Sequence, residues 1–250
     1  MLLQPTIETL HRLKLSGMVQ ALTDQENDPR TRELSFEERL GLLVDREAAE
    51  QDSRRLNRRL RQARLRQPAT FEDIDLRTPR GLSRAMIHDL GSCRWVRDHR
   101  NLLIIGPTGV GKSYIACGLV HKACREGHSV RYYRTSRLLQ ELALARGEGR
   151  YIRQLKTLAQ TEVIVLDDWG LEPLRPEGRH DLLELLDDRH ERKSTVITSQ
   201  VPPEKWHELI GEATIADAIL DRVVHNAHLV QMKGESMRRR KAKSETQADS

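Results

Sequence analysis

The feature that most constrains this 250-residue chain is a glycine-rich segment between an aliphatic run and a helical stretch. The segment fits the pattern G-x-x-x-x-G-K-S and consists of Gly106, Pro107, Thr108, Gly109, Val110, Gly111, Lys112 and Ser113. Residues 102–105 before it are aliphatic, and residues 113–125 after it have helical character. A strand, a tight glycine loop and a helix in this order predict a loop whose backbone N–H groups surround a phosphate.

The polar side chains of this loop have expected partners on a nucleoside triphosphate. Lys112 is expected to reach the β- and γ-phosphates, and the Ser113 hydroxyl is expected to ligate magnesium. A glycine-rich turn with a chance lysine is the structural alternative, but the strand and helix on either side argue against it. We therefore predict that the chain binds ATP and Mg²⁺.

Two carboxylates follow a second aliphatic run, at residues 163–166. Asp167, at the strand end, is predicted to hold the magnesium shell, and Asp168 is predicted to polarise the attacking water as general base. The alternative is that both acids cap the next turn. Residues 130–133 leave room for an additional strand between the two motifs, an arrangement of hydrolysing ATPases rather than of small nucleotide kinases.

Five aliphatic runs alternate with longer helical stretches in the second half of the chain. The runs are residues 102–105, 130–133, 163–166, 195–198 and 229–232. This alternation predicts an α/β fold with a five-stranded parallel sheet. The fourth run leads into Gln200, our candidate for a sensor that orients the attacking water, with Ser199 or Thr198 as alternatives.

The parts of the chain on either side of this α/β region differ from it in pattern. Residues 1–67 have helical periodicity and predict a small helical domain that binds DNA or a partner. Residues 68–100 are interpreted as a linker and the start of the ATPase module, 101–236 as the ATPase domain, and 237–250 as a basic, disordered tail.

An arginine-rich stretch, SRRLNRRLRQARLRQ, occupies residues 53–67, and Pro68 is expected to end its helix. The net charge of +5 also favours a polyanionic partner. Either the arginines form a solvated helix face or they contact phosphates. The candidates for DNA contact are Arg54, Arg55, Arg58, Arg59 and Arg61. Because no base-reading module is apparent, binding to duplex DNA is expected to be mostly independent of sequence.

No segment of the sequence has the character of a membrane anchor or a secretory signal. The longest aliphatic runs are far shorter than the roughly 18 apolar residues that a membrane span needs. The N-terminus lacks the basic flank and apolar stretch of a secretory signal. We therefore expect a cytoplasmic, DNA-associated protein without a membrane partner.

Several strings in the chain resemble one known family in order and spacing. They are GPTGVGKSYIACGL, VIVLDDWG, STVITSQ, residues 202–206, AILDRVVHNAH and KGESMRRR. Together with FEDIDL at 71–76, they resemble the IstB-type transposition helper ATPases, relatives of the DnaC-type helicase loaders within the AAA+ group. The resemblance covers residues 7–239.

The resemblance implies an AAA+ ATPase that assembles on DNA as a multimer, deforms the duplex and recruits or activates an IstA-type transposase. It further implies that Arg222, in the pair Asp221-Arg222, completes the ATP site of a neighbouring subunit. The alternative is that Arg222 pairs with a nearby acid on its own helix face. Arg238, in the string at 234–238, is implied as a second arginine that senses the γ-phosphate.

The chain departs from the family pattern at two positions. It has Asp168 where the family usually has Glu, which predicts slow basal hydrolysis, and Gln200 where relatives commonly have Asn. Three other functions remain as alternatives: a DnaC-type helicase loader, a small-molecule kinase, and a DNA-binding structural protein in which ATP is only an assembly switch.

Overall fold

The computed structural model describes residues 3–237, which divide between Arg58 and Arg59 into two compact units. The first unit is helical: α1 (Leu3–Arg12), α2 (Ser16–Asn27), a 3-10 turn (Pro29–Glu33) and most of α3 (Phe36–Ala63). The buried carboxylate of Glu47 accepts hydrogen bonds from the backbone N–H groups of Gly17 and Met18, at 2.7 and 3.1 Å. This α3 side chain thus satisfies backbone donors that the first turn of α2 cannot pair internally.

The second unit contains all five strands and the remaining helices. The strands are β1 (Asn101–Ile105), β2 (Val130–Arg134), β3 (Val163–Trp169), β4 (Ser194–Ser199) and β5 (Ala227–Gln231). The helices before β3 are α4 (Arg84–Gly91), α5 (Arg94–Arg97), α6 (Lys112–Arg125), α7 (Thr135–Gly147) and α8 (Tyr151–Gln160). Those after β3 are α9 (Pro176–Arg189), the 3-10 turn Pro203–Lys205, α10 (Trp206–Ile210) and α11 (Ala213–Val224).

The sheet is fully parallel and has the order β2-β3-β4-β1-β5. Leu102 pairs with Val196 of β4 on one side and with His228 of β5 on the other. This confirms the predicted α/β fold and its five strands. The fifth strand starts two residues before the predicted run and ends one residue earlier, and β3 continues through the two aspartates to Trp169.

The arginine-rich helix ends several residues before Pro68. Helix α3 stops at Ala63, and Arg64 adopts a left-handed backbone conformation with φ of +52°. The expectation that Pro68 ends this helix is therefore wrong. Residues 64–67 leave the helix direction, which separates Arg66 from the arginines of α3.

The core of the second unit lies on both faces of the sheet. All five residues of β1 are buried, as expected for a central strand covered on both sides by helices. Trp169 and Trp206 pack with ring centroids 5.4 Å apart at the end of β3. Among the helices described, none is both long enough and apolar enough to cross a membrane.

Candidate nucleotide site

The phosphate loop connects β1 to α6 at the carboxyl edge of the sheet. Gly109 and Gly111 have φ of +82° and +102°, a region that side-chain-bearing residues rarely adopt. The buried Lys112 donates from Nζ to the carbonyls of Gly106 (2.8 Å) and Pro107 (2.9 Å). The ammonium group is therefore held inside the curl of the loop, beside the N-terminus of α6, where an anion is favoured.

The segment 232–237, hereafter the C-terminal segment, packs directly on this loop. The N–H of Met232 donates to Ile105 O at 2.7 Å, and that of Met237 donates to Gly109 O at 2.9 Å. A Cβ at Gly106 would lie 2.5 Å from the carbonyl oxygen of Met232. Glycine at this position therefore allows two backbone segments to approach closely.

Asp167 is fully buried at the centre of a hydrogen-bond network. Its carboxylate accepts from Ser113 Oγ (2.8 Å), Arg66 Nη1 (2.9 Å), the Tyr132 hydroxyl and the Thr198 hydroxyl. Burial alone would raise the pKa of Asp167, but these donors outweigh it and hold the pKa below its ordinary value. The group is thus an ionised carboxylate in a nearly dry setting.

The donor set around Asp167 fits a magnesium ion. A bound Mg²⁺ commonly takes one or two carboxylates, with waters and substrate phosphates as its other ligands. The Asp167 carboxylate and the Ser113 hydroxyl already lie side by side next to the phosphate loop. No cluster of three or more His, Cys, Asp or Glu suited to a metal occurs within residues 3–237.

Asp168 differs from its neighbour in conformation and exposure. Its φ is +59°, and the pairing of β3 with β4 is irregular between Leu166 and Trp169. The side chain is 24% exposed, and its Oδ2 lies 3.2 Å from Arg66 Nη1 and 3.5 Å from Arg134 Nε. The irregular strand thus turns Asp168 outward, where it can meet water, while Asp167 points into the protein.

Arg66 is a site residue that sequence reasoning places elsewhere. One nitrogen of its guanidinium bridges Asp167 and Asp168. The sequence pattern puts Arg66 on the arginine-rich helix, and only the early end of α3 brings it to the carboxylates. Nothing in that pattern distinguishes this arginine from its neighbours.

A cleft of about 860 Å³ is lined by seven of the thirteen residues predicted for the nucleotide site. Its lining includes Thr108, Gly109, Gly111, Lys112, Ser113, Asp168 and Gln200. Gln200 accepts a hydrogen bond from the Thr108 hydroxyl, and it follows β4, which lies between β1 and β3. Thr198, one of the alternatives for the sensor, is buried and bonds Asp167 instead.

The cleft has a second wall formed by residues that precede the phosphate loop. Asp75, Thr78 and Arg80 line it together with Tyr114 of α6. Arg80 is buried and donates to the carbonyls of Val110 (3.0 Å) and Asp75 (2.6 Å). The FEDIDL string is thus part of the cleft, although its residues carried no predicted chemistry.

Arg222 lies away from this cleft. Its Nε pairs with Asp187 Oδ1 at 2.6 Å and its Nη1 donates to Ala218 O at 2.9 Å. Asp187 belongs to α9, so the acidic partner is on a neighbouring helix rather than on the helix of Arg222 itself. Arg238 lies outside the described residues.

The candidate DNA-contacting arginines have different surroundings. Arg54, Arg55, Arg58 and Arg61 are all exposed, and Arg54 pairs with Glu50 at 3.0 Å and Arg55 with Asp52 at 3.3 Å. Arg59 is half-buried and donates to Cys124 O at 2.7 Å, at the carboxyl end of α6. Its guanidinium thus satisfies a carbonyl at a helix end, where a cation is favoured.

Comparison with known proteins gives both sequence and structural similarity. The family model for IstB-like ATP binding proteins matches residues 8–246. The insertion sequence ATP-binding protein y4pL of Sinorhizobium fredii is 52% identical over 96% of this chain and 98% of its own length. Two solved structures, of DnaI and of the DnaC helicase loader, are each 22% identical and cover 66% of this chain. The match extends over 91% of the DnaI chain and 97% of the DnaC chain, with TM-scores of 0.58 and 0.54. Both structures therefore share the P-loop AAA+ fold with this chain.

Proposed function

The chain belongs to the family of IstB-like ATP binding proteins, and from this premise we propose that it hydrolyses ATP to act on duplex DNA during transposition. It is an insertion-sequence-associated ATP-binding protein. One observation carries the proposal of hydrolysis: the phosphate loop and Asp168 line a single cleft, and the buried Asp167 accepts a hydrogen bond from Ser113 of the same lining. Its proposed partners are duplex DNA, an IstA-type transposase and further copies of itself.

Each of these residues has a separate proposed role in hydrolysis. Lys112 would move its ammonium from the loop carbonyls to the β- and γ-phosphates, and Ser113 and Asp167 would hold Mg²⁺. The ion, when bound, neutralises charge on the phosphate oxygens. Asp168, turned outward by the strand irregularity, takes the proton of the attacking water at a carboxylate oxygen. Gln200 orients that water through its amide.

Asp168 is shorter by one methylene than the glutamate usual at this position in the family. A displacement of about 1 Å in a catalytic group can lower a rate roughly a hundredfold. Asp168 also shares Arg66 with Asp167 in the nucleotide-free protein. Both features support slow basal turnover that DNA or the transposase accelerates.

Arg222 is our candidate for completing the site of a neighbouring subunit. In the proposed multimer it exchanges Asp187 for the γ-phosphate of the adjacent copy, as arginine fingers do. Mixing Arg222→Ala with Lys112→Ala protein should then restore part of the hydrolysis, since each variant supplies what the other lacks. No recovery at any ratio, with assembly confirmed, would assign Arg222 to a structural ion pair.

The proposed DNA contacts come from the arginine-rich stretch. Arg54, Arg55, Arg58 and Arg61 are exposed, which suits contact with phosphates, whereas Arg59 already bonds a helix carbonyl. Replacing Arg54, Arg58 and Arg61 with Ala should weaken binding to unrelated duplexes alike and flatten its salt dependence. Wild-type binding by this variant at every salt concentration would remove the stretch from the DNA interface.

A helicase-loading function is less well supported. The similarity to DnaI and the DnaC helicase loader is below 25% identity and concerns the fold alone. By contrast, y4pL, which is 52% identical over 96% of this chain, is an insertion sequence protein.

The variant Asp168→Asn tests the proposed hydrolysis directly. It keeps the shape of the side chain but removes the base, so ATP binding should persist while turnover falls by about a hundredfold or more. Steady-state phosphate release and binding of a fluorescent ATP analogue measure the two quantities, each with Mg²⁺, duplex DNA and transposase present. Equal turnover by the wild type and Asp168→Asn would move the base elsewhere. A wild type that binds ATP without any turnover would leave ATP as an assembly switch only.

A further inference from the structure

A separate cavity of about 420 Å³ shares Arg66 with the lining of the nucleotide cleft. Four arginines line it: Arg64, Arg66, Arg134 and Arg137. They come from the segment after α3, from the end of β2 and from α7, so three separate parts of the second unit direct guanidinium groups to one place. We call this space the basic cavity.

The charge of the basic cavity is only partly balanced. Arg66 and Arg134 lie within ion-pair distance of Asp168, and Glu141 is the acid in the cavity lining. Among the ion pairs of residues 3–237, none involves Arg64 or Arg137, and both are exposed. Two guanidinium groups thus face the same open space without a carboxylate partner, an arrangement that favours an anion.

Backbone strain occurs at Arg64 of the cavity lining and at Asp168, which pairs with Arg66 and Arg134. Arg64 and Asp168 both have a left-handed backbone, with φ of +52° and +59°, although neither is glycine. Such conformations are costly for residues other than glycine and persist where the surrounding structure holds them. The strain at Arg64 turns the chain out of α3, which places Arg64 and Arg66 at the cavity together.

Arg66 is shared by the basic cavity and the nucleotide cleft. Its Nη1 lies 2.9 Å from Asp167 and 3.2 Å from Asp168, the residues proposed to hold Mg²⁺ and to act as base. An anion in the cavity would compete with these carboxylates for the same guanidinium. Occupancy of one site therefore changes the charge available in the other.

We propose that the basic cavity binds a phosphate of the DNA backbone and that this phosphate draws Arg66 away from Asp167 and Asp168. The proposal rests on the DNA-binding function proposed above. DNA fits better than a small anion because Arg64 lies three residues from the exposed Arg61, in the same arginine-rich stretch, so the cavity continues the proposed DNA contacts. The released carboxylates then serve Mg²⁺ and the attacking water, so DNA accelerates hydrolysis.

The double variant Arg64→Asn/Arg137→Gln tests the cavity without disturbing the backbone. Asn tolerates positive φ, and Gln is a good helix former for α7. The matched control Arg153→Gln/Arg192→Gln removes the same charge from exposed positions outside the cavity. Fluorescence anisotropy of a labelled duplex, measured over a salt series, should show weaker binding by the cavity variant. Its log–log salt slope should be smaller by about 0.9 for each phosphate that the variant no longer neutralises, whereas the control keeps the wild-type slope.

ATPase assays and the Mg²⁺ dependence of nucleotide binding test the coupling through Arg66. The cavity variant should keep the wild-type basal ATPase but lose its stimulation by DNA. In Arg66→Gln, the Mg²⁺ concentration that half-saturates binding of a fluorescent ATP analogue should fall and should no longer respond to DNA. A DNA-independent Mg²⁺ requirement in the wild type would overturn the coupling.

Three results would separate the possible failures. If the wild type binds no duplex at any salt concentration, the proposed function fails and this inference fails with it. If the wild type binds but the cavity variant equals its control, only the cavity assignment is overturned. If inorganic phosphate displaces the duplex at constant ionic strength, the cavity binds a free anion. That result would overturn the DNA assignment.

Discussion

At the scale of single residues, Asp167 organises the site. Donors from α6, the segment after α3, β2 and β4 all converge on its carboxylate. Removing water from a charge is costly, and hydrogen bonds to the ionised form offset that cost. The nucleotide-free protein therefore keeps an ionised Asp167 ready beside the phosphate loop.

This network predicts a pH dependence of stability. The ordinary pKa of Asp167 is 3.8, and the folded protein holds it lower. The unfolded chain therefore takes up the proton first as the pH falls. The stability contributed by the carboxylate is complete well above pH 3.8 and is lost as the pH falls from there through the folded pKa.

The variant Asp167→Asn should make this contribution visible. We expect it to lower the free energy of unfolding at neutral pH by about 1–3 kcal/mol, with a smaller further loss in acid than the wild type shows. Urea unfolding followed by tryptophan fluorescence measures the second unit, since Trp95, Trp169 and Trp206 all lie there. The exposed Asp188→Asn is the control. If the free energy of unfolding falls by the same amount in acid for Asp167→Asn and for the wild type, the proposed contribution of the Asp167 carboxylate is wrong.

The positions of some site residues could be predicted from the sequence, and those of others could not. The placement of Asp167 beside Lys112 and Ser113 could be predicted because a phosphate loop and a strand-end acid occur in a recognisable order, and the roles of the three residues stay predictions. Arg66 could not be predicted, because its position depends on a left-handed residue that ends α3 early. The sequence pattern likewise predicts only an ordinary strand residue at Tyr132. The pairing of β2 with β3 is what brings its hydroxyl to Asp167.

At the scale of elements, the aliphatic runs predict the strands well. Parallel strands covered on both faces are apolar along most of their length, so they stand out from the amphipathic helices between them. Helix ends are less predictable, because Pro68 marks the latest possible end of α3 and the true end lies at Ala63. The C-terminal segment gives no periodic signal, since it is held by backbone hydrogen bonds to the phosphate loop.

The contact between the C-terminal segment and the loop can be tested with two glycines. A Cβ at Gly109 would lie 2.3 Å from Ser236 Oγ, whereas a Cβ at Gly127 meets no atom within 4 Å. Both have positive φ, so each Gly→Ala change carries a similar backbone cost. Gly109→Ala should weaken ATP binding by about tenfold, which corresponds to about 1.4 kcal/mol, and Gly127→Ala should not.

The double variant Gly109→Ala/Ser236→Gly completes this test. Removing the Ser236 side chain takes away the atoms that the new methyl group meets, so ATP affinity should recover towards that of Gly127→Ala. Titration with a fluorescent ATP analogue measures all three variants. Equal affinities for Gly109→Ala and Gly127→Ala would show that the segment does not constrain the loop.

At the scale of the whole molecule, the ATP site and the proposed DNA contacts lie on one chain. The family and the fold are shown by full-length sequence similarity and by the parallel sheet. The link between nucleotide and DNA is proposed, and Arg66 gives it a physical route through the β3 aspartates. If the link exists, the state of the nucleotide must change the affinity for DNA, because coupling between two binding sites is reciprocal.

Binding of a labelled duplex with and without a non-hydrolysable ATP analogue tests this link most directly. The wild type should bind DNA more tightly, and as a larger assembly by mass photometry, when the analogue and Mg²⁺ are present. Lys112→Ala, which lacks the ammonium proposed to contact the phosphates, should show the same weak binding under both conditions. Identical DNA affinity and assembly size for the wild type with and without the analogue would contradict an ATP-dependent action on DNA.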